Sequence, residues 1–151
     1  MPIELPGATF VTGGGYAVSP ASTLNNAGTF QSVNAALVNQ GTLINSGTML
    51  SSLATTGSVS NTGSFANNGV VNGTFVNAGL LSGNGTIVGT VANFGALSPG
   101  NSIGTLTVNG SLAQAANGTY QVETNSAGQS DRVNVTGTPG TAALNLSLIH
   151  I

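Results

Sequence analysis

The chain has 151 residues and a mass of 14.7 kDa, one domain's worth, and only 3% of it is charged. Lys plus Arg is 1, which excludes a basic footprint for nucleic acid or anionic lipid, and Cys is 0, which excludes disulfide and thiolate chemistry. The net charge of -2 is too small for an acidic tail, and 40% hydrophobic residues with a mean hydropathy of +0.28 oppose the composition of disorder.

In chain order, residues 1–38 read as irregular N-terminal coils. Met1-Pro2-Ile3-Glu4-Leu5-Pro6 has neither a basic n-region nor an apolar h-region, so no signal peptide is expected. No apolar run approaches the ~18 residues of a membrane span. Gly13-Gly14-Gly15 is a loop, and Tyr16, Val18, Leu24 and Phe30 mark early strands between Ser, Thr and Asn turns. Asn26-Ala27-Gly28-Thr29-Phe30 already has the form of a repeat unit, Asn-x-Gly leading into a β-prone run.

Residues 39–97 are a regular array. Each short β-prone run is opened by a glycine: Gly41, Gly47, Gly57, Gly63, Gly69, Gly79, Gly85 and Gly95, at steps of 6, 10, 6, 6, 10, 6 and 10 residues. Two residues after each glycine stands an apolar side chain: Leu43, Met49, Val59, Phe65, Val71, Leu81, Ile87 and Leu97. Two residues before it stands Asn39, Asn45, Asn61, Asn67, Asn77 or Asn93, with Thr55 and Gly83 as exceptions. All steps are even, as period-two side-chain alternation along a strand requires. The glycines read as turn residues accepting positive φ. This density of Gly and β-branched residues admits no helix.

From residue 98 to 137 the units lengthen. Ser98-Pro99-Gly100-Asn101-Ser102 is a corner, Ile103 to Val108 resumes a strand, and Gly118 to Glu123 and Arg132 to Thr136 alternate as strands. Residues 138–151 form a tail, with a turn at Thr138-Pro139-Gly140-Thr141 and room for one last strand from Ala142.

Short strands that cannot bury their apolar faces alone stack. The pattern therefore predicts an all-β fold, a right-handed parallel β-helix in which like residues lie above like, with Asn ladders and interior rows of Val, Leu and Ile. Coils of 16 or 22 residues follow from sums of adjacent steps. Seven to nine coils would make a rod on the order of 35–45 Å long. An antiparallel β-sandwich is the alternative, because Asn-Gly is also a hairpin signal.

The run Gly83-Asn84-Gly85-Thr86, Gly95 through Leu106 (GALSPGNSIGTL) and Asn109-Gly110-Ser111-Leu112 resembles the passenger region of bacterial autotransporters. Ser130-Asp131-Arg132-Val133-Asn134-Val135-Thr136-Gly137 is similar to the segment that follows in those proteins. The resemblance spans about Asn77 to Gly137. It implies a right-handed β-helix exported by type V secretion through a C-terminal translocator β-barrel and displayed at the cell surface, anchored in the outer membrane as an adhesin linked to virulence. This chain departs from that plan in lacking a signal peptide and a barrel, as an excised piece would. Its last six residues, 146–151, resemble translated sequencing-adapter read-through, which would make the tail non-native.

Chemistry is mostly absent. The ionisable side chains of interest are Glu4, Glu123, Asp131, Arg132 and His150. Glycosidic hydrolysis needs two carboxylates facing one cleft. Glu123 and Asp131 are the one candidate pair, but Glu123 as a solvated strand residue and Asp131 as a turn acceptor is the favoured reading. Asp131 and Arg132, as strand neighbours, point to opposite faces. His150 alone is no metal site, and with a single His a Ser–His–Asp arrangement is not expected. Clustered carboxylates for calcium are missing. Neither Gly13-Gly14-Gly15 nor Gly83-Asn84-Gly85 leads into a phosphate-binding sequence. Asn72-Gly73-Thr74 reads as a chance product of the repeat rather than a glycan acceptor. Tyr16, Tyr120 and five Phe could stack on sugars, yet packing is their favoured role. No catalytic, cofactor-binding or metal-binding residue is expected, and no cofactor.

The expected function is a structural or adhesive segment without catalysis. The alternatives are a glycan-binding module and a polysaccharide-acting β-helix protein. Host-cell or matrix glycans or proteins are the expected partners, together with end-to-end self-association of coils lacking caps.

Overall fold

The Asn-x-Gly unit explains the architecture. In Asn77-Ala78-Gly79 the asparagine side chain is buried, Ala78 points to solvent, and the Asn77 carbonyl accepts from both Phe94 N (2.7 Å) and Gly95 N (3.1 Å) of the next coil. Leu80 N then donates to the Gly63 carbonyl of the coil before (2.9 Å). That bond places the Gly63 oxygen directly beneath Gly79, where a Cβ would stand 2.1 Å from it. The repeat glycines are therefore required by the close approach of stacked backbones. This corrects the sequence-based reason, positive φ. Positive φ is found at another corner, where Gly73, Gly89, Gly110 and Gly137 (φ 131°, 144°, 152° and 127°) follow one another up the rod.

The computed structural model describes residues 3–33, 35–52, 58–137 and 140–144, leaving aside the side chains of residues 51 and 52. Thr55 and Gly57, the turn at residues 138–139, and residues 145–151 with His150 lie outside the described residues. The described chain is all β, nineteen strands arranged as coils of three faces, A, B and C.

Coil 1 holds β1 (Ile3–Leu5), β2 (Thr9–Thr12) and β3 (Tyr16–Val18), and coil 2 holds β4 (Thr23–Asn26), β5 (Thr29–Val33) and β6 (Leu37–Asn39). Coil 3 holds β7 (Thr42–Asn45), β8 (Thr48–Ser52) and β9 (Ser58–Asn61), and coil 4 holds β10 (Ser64–Asn67), β11 (Val70–Asn72) and β12 (Thr74–Asn77). In coil 5, β13 (Leu80–Gly83) is followed by β14 (Thr86–Asn93), which covers faces B and C without a break. In coil 6, β15 (Ala96–Pro99) and β16 (Thr105–Gln114) do the same. Coil 7 holds β17 (Thr119–Tyr120), β18 (Arg132–Thr136) and β19 (Ala142–Leu144).

Face A is a 7-stranded sheet, and faces B and C are joined into one larger sheet by the continuous strands. Every pairing between described strands is parallel, for example Phe65↔Leu81 and Leu81↔Leu97 on face A. The antiparallel sandwich is thereby excluded, and the fold is a parallel β-helix. The right hand expected for it is the hand that parallel crossovers between L-residue strands almost always take. Seven coils at the strand spacing of about 4.8 Å give a rod of about 30–35 Å.

Each face sends one apolar row inward. The rows are Leu24, Leu43, Phe65, Leu81 and Leu97 on face A; Phe30, Met49, Val71, Ile87 and Val108 on face B; and Leu37, Val59, Phe75, Val91 and Leu112 on face C. The apolar residue two past each described repeat glycine is buried, as the alternation predicts. Two amide ladders share this interior. One runs Asn26, Asn45 and Asn67 with side-chain bonds of 2.8 and 2.9 Å. The other runs Asn39, Asn61, Asn77, Asn93 and Gln114 with bonds of 2.7, 2.7, 2.6 and 2.8 Å. Each Nδ2 that donates along a ladder also donates to a backbone carbonyl further along the chain, as Asn61 does to Leu80 O (2.9 Å). The ladders are polar in direction. Among the described residues, Asn26 Oδ1 and Asn39 Oδ1 have no partner at one end, and Gln114 Nε2 has none at the other.

Candidate functional site

The charged side chains stand at the ends of the rod, and none occurs between Leu5 and Val122. Glu4 lies on coil 1, exposed, and accepts from Asn25 Nδ2 (2.6 Å). Glu123, Asp131 and Arg132 gather where faces A and B meet in coil 7, close to the Pro99–Gly104 corner of coil 6. The candidate site is this corner.

Its centre is Asp131, 4% exposed. Asp131 Oδ1 accepts from Gly104 N and Oδ2 accepts from Glu123 N, both at 2.8 Å. Asp131 N donates to Glu123 O (3.0 Å) and Arg132 N donates to Gly104 O (2.9 Å). The carboxylate thus ties the corner of coil 6 to both ends of an excursion in coil 7. Gly100 is needed here, because at φ 90° a Cβ would meet Ser102 O at 2.0 Å and Asp131 Oδ1 at 3.1 Å.

The excursion departs from expectation. Alternation predicts one strand over Gly118 to Glu123, but β17 ends at Tyr120 and the chain leaves the rod as an exposed hairpin arm. An antiparallel bridge between Thr124 and Ser130 forms its stem. Asn125 closes its tip: Oδ1 accepts from Ala127 N and Gln129 N (both 3.0 Å), and Nδ2 donates to Gln129 Oε1 (2.8 Å). Local side-chain bonds of this kind compete with a continuing ladder. Tyr120, packed against the core, accepts from Val133 N at its hydroxyl (3.1 Å). Burial pushes the Tyr120 phenol up from its ordinary value; the Val133 hydrogen bond opposes this and the Asp131 charge adds to it.

Asp131 is buried and Arg132 exposed, as alternation requires. Glu123 is exposed, so the two carboxylates occupy different environments: Asp131 binds backbone donors inside, and Glu123 lies on the arm. What this arrangement can do is hold two loops in register. Tyr16 packs with Phe10 and Phe30 at ring distances of 5.9 and 5.1 Å. Phe94 stands alone at 47% exposure. Asn72-Gly73-Thr74 falls at the positive-φ glycine corner. Gly13-Gly14-Gly15 links β2 to β3. Among the described residues, no group of three or more His, Cys, Asp or Glu could hold a metal ion.

A surface amide chain runs into the same corner and escapes a reading of the sequence strand by strand. Asn68 Oδ1 accepts from Asn84 N (3.1 Å) and Asn101 Nδ2 (3.0 Å), and Asn84 Oδ1 accepts from Thr105 N (3.1 Å). Its signal is present, since Asn68 and Asn84 stand one 16-residue coil apart. No family model, curated protein or solved structure matches this chain.

Proposed function

We propose that this chain is a structural or adhesive segment of a secreted, surface-displayed bacterial protein of the autotransporter type, with no catalysis of its own. The observation that supports the reading best is the union of its two resembling segments. GALSPGNSIGTL and SDRVNVTG are separated in sequence, yet Asp131 of the second clamps Gly104 of the first. In this reading the clamp locks a rod that carries exposed loops away from the membrane. A translocator β-barrel belongs to the parent protein, and host-cell or matrix glycans or proteins are the partners.

The test is export. The chain is fused between a signal peptide and a translocator β-barrel, and whole cells are treated with protease. Appearance of a compact, protease-accessible β-rich segment outside the cell is expected; retention in the periplasm overturns the secretion reading. A glycan array with the purified chain decides the alternative of a glycan-binding module. Release of reducing ends from polysaccharides by the pure protein would overturn the non-catalytic assignment.

A further inference from the structure

The outward side chains where face C turns into face A change character along the rod. At the turns from coil 2 into coil 3 and from coil 3 into coil 4 the outward positions are Val38, Gln40 and Thr42, then Ser60, Thr62 and Ser64, mostly polar. At the next two turns, from coil 4 into coil 5 and from coil 5 into coil 6, all three positions are apolar: Val76, Ala78 and Leu80 at the first, Ala92, Phe94 and Ala96 at the second. Ala78 and Phe94 are exposed and the other four half-buried, with Phe94 at 47%. They form three columns, each with one large and one small member a coil apart, about 4.8 Å. The large member alternates, Val76 and Leu80 at the first of these turns and Phe94 at the second.

We propose that this corner is the interface of a two-fold homodimer with the rods side by side and antiparallel. A two-fold axis lying in the interface, perpendicular to both rods and level with the midpoint between these two turns, keeps each column opposite itself and exchanges the two turns. Val76 then faces Ala92 of the second copy, Phe94 faces Ala78, and Leu80 faces Ala96. Large meets small in all three columns, the reciprocal matching that an isologous contact requires. A parallel pairing would set Phe94 against Phe94 and leave alanines facing alanines. The second copy is also favoured electrically, because nothing between Leu5 and Val122 is charged, so no charge is buried and the rods do not repel. The apolar centre is small and its surround is hydroxyl and amide, so the dimer is weak and concentration-dependent.

Sedimentation equilibrium of the full chain over a concentration series tests it, with variants at these exposed positions checked for unchanged melting. Wild type is expected to approach a closed dimer, in contrast to end-to-end growth, which has no limit. Phe94→Ser removes the central aromatic and should raise the dimer dissociation constant about thirtyfold or more. Ala78→Phe makes the corner more apolar yet fills the notch, so it should also weaken pairing. Combining Ala78→Phe with Phe94→Ala exchanges knob and notch and should restore it. A wild type that stays monomeric at every concentration overturns the proposal. So does an Ala78→Phe variant that associates as well as or better than wild type, the behaviour of mere stickiness.

Discussion

The side-chain amide of Asn77 accepts from Asn61 and donates to Asn93 and to the Ala96 carbonyl, inside a core whose apolar members are Leu, Val, Ile, Phe and Met. Removing it leaves a donor on Asn61 and an acceptor on Asn93 buried and unpaired. Asn39, at the ladder's acceptor end, already carries an unpaired Oδ1, so its loss merely moves that orphan to Asn61. Asn77→Ala is therefore expected to cost about 3 kcal/mol, and Asn39→Ala to cost measurably less, in urea unfolding. Equal costs would mean that the rungs act separately and not as a connected ladder. Ile87 is 0% exposed and Ser46 is exposed. Ile87→Asp should destabilise by about 4 kcal/mol or more, while Ser46→Asp stays within about 0.5 kcal/mol. An unchanged melting temperature for Ile87→Asp would contradict an interior position.

At the scale of one element, two side chains add to the parallel pairing that holds coil 7 on coil 6. Asp131→Asn sets an amide N–H against the N–H of Gly104 or of Glu123, since both carboxylate oxygens are in use as acceptors. It should cost about 1–3 kcal/mol. Hydrogen exchange should speed up at the Gly104 and Glu123 amides while coils 2 to 5 keep their protection. Uniform acceleration would show that coil 7 does not open by itself. The second is Tyr120. Its pKa is raised in the folded state by burial, so the folded chain holds the phenol proton longer than the unfolded one. The stability this gives is fully present below the unfolded value near pH 10 and is lost as pH rises through the folded value. Thermal melts should be level up to about pH 9 and fall above about pH 10, and Tyr120→Phe should remove most of that alkaline slope.

For the whole molecule, coils 2 to 6 contain no charged side chain and hold together by hydrophobic rows, backbone ladders and neutral amides. With no charge pairs to screen, the melting temperature should be the same at low and physiological ionic strength. A marked salt dependence would place the stability in the few charges of coils 1 and 7. The same neutrality leaves apolar, hydroxyl and amide side chains along the described sides of the rod.

How much of this was legible differs by residue. Leu43, Met49, Phe65, Val71, Leu81, Ile87 and Leu97 could be placed inside from their offset to glycine, because alternation is local and the backbone fixes it. The glycines themselves could be located but not explained. Gly79 is required by a carbonyl of Gly63, and nothing within its own turn reveals that neighbour. The strand expected over Gly118 to Glu123 failed for a related reason: Asn125 closes its own turn and Asp131 draws the chain back to coil 6, both choices made outside the stretch that alternates.

The sequence by itself determined that the chain is charge-poor, helix-free and built of stacking β units, since composition, Gly and Asn spacing and period-two alternation are properties of neighbouring residues. Only the tertiary structure decided that the coil has three faces, that the asparagines join into directional ladders, that Asp131 clamps two loops, and that large and small side chains alternate at the Phe94 corner. Each of these is a contact between residues a coil or more apart, and such contacts exist only once the register of one coil on the next is set.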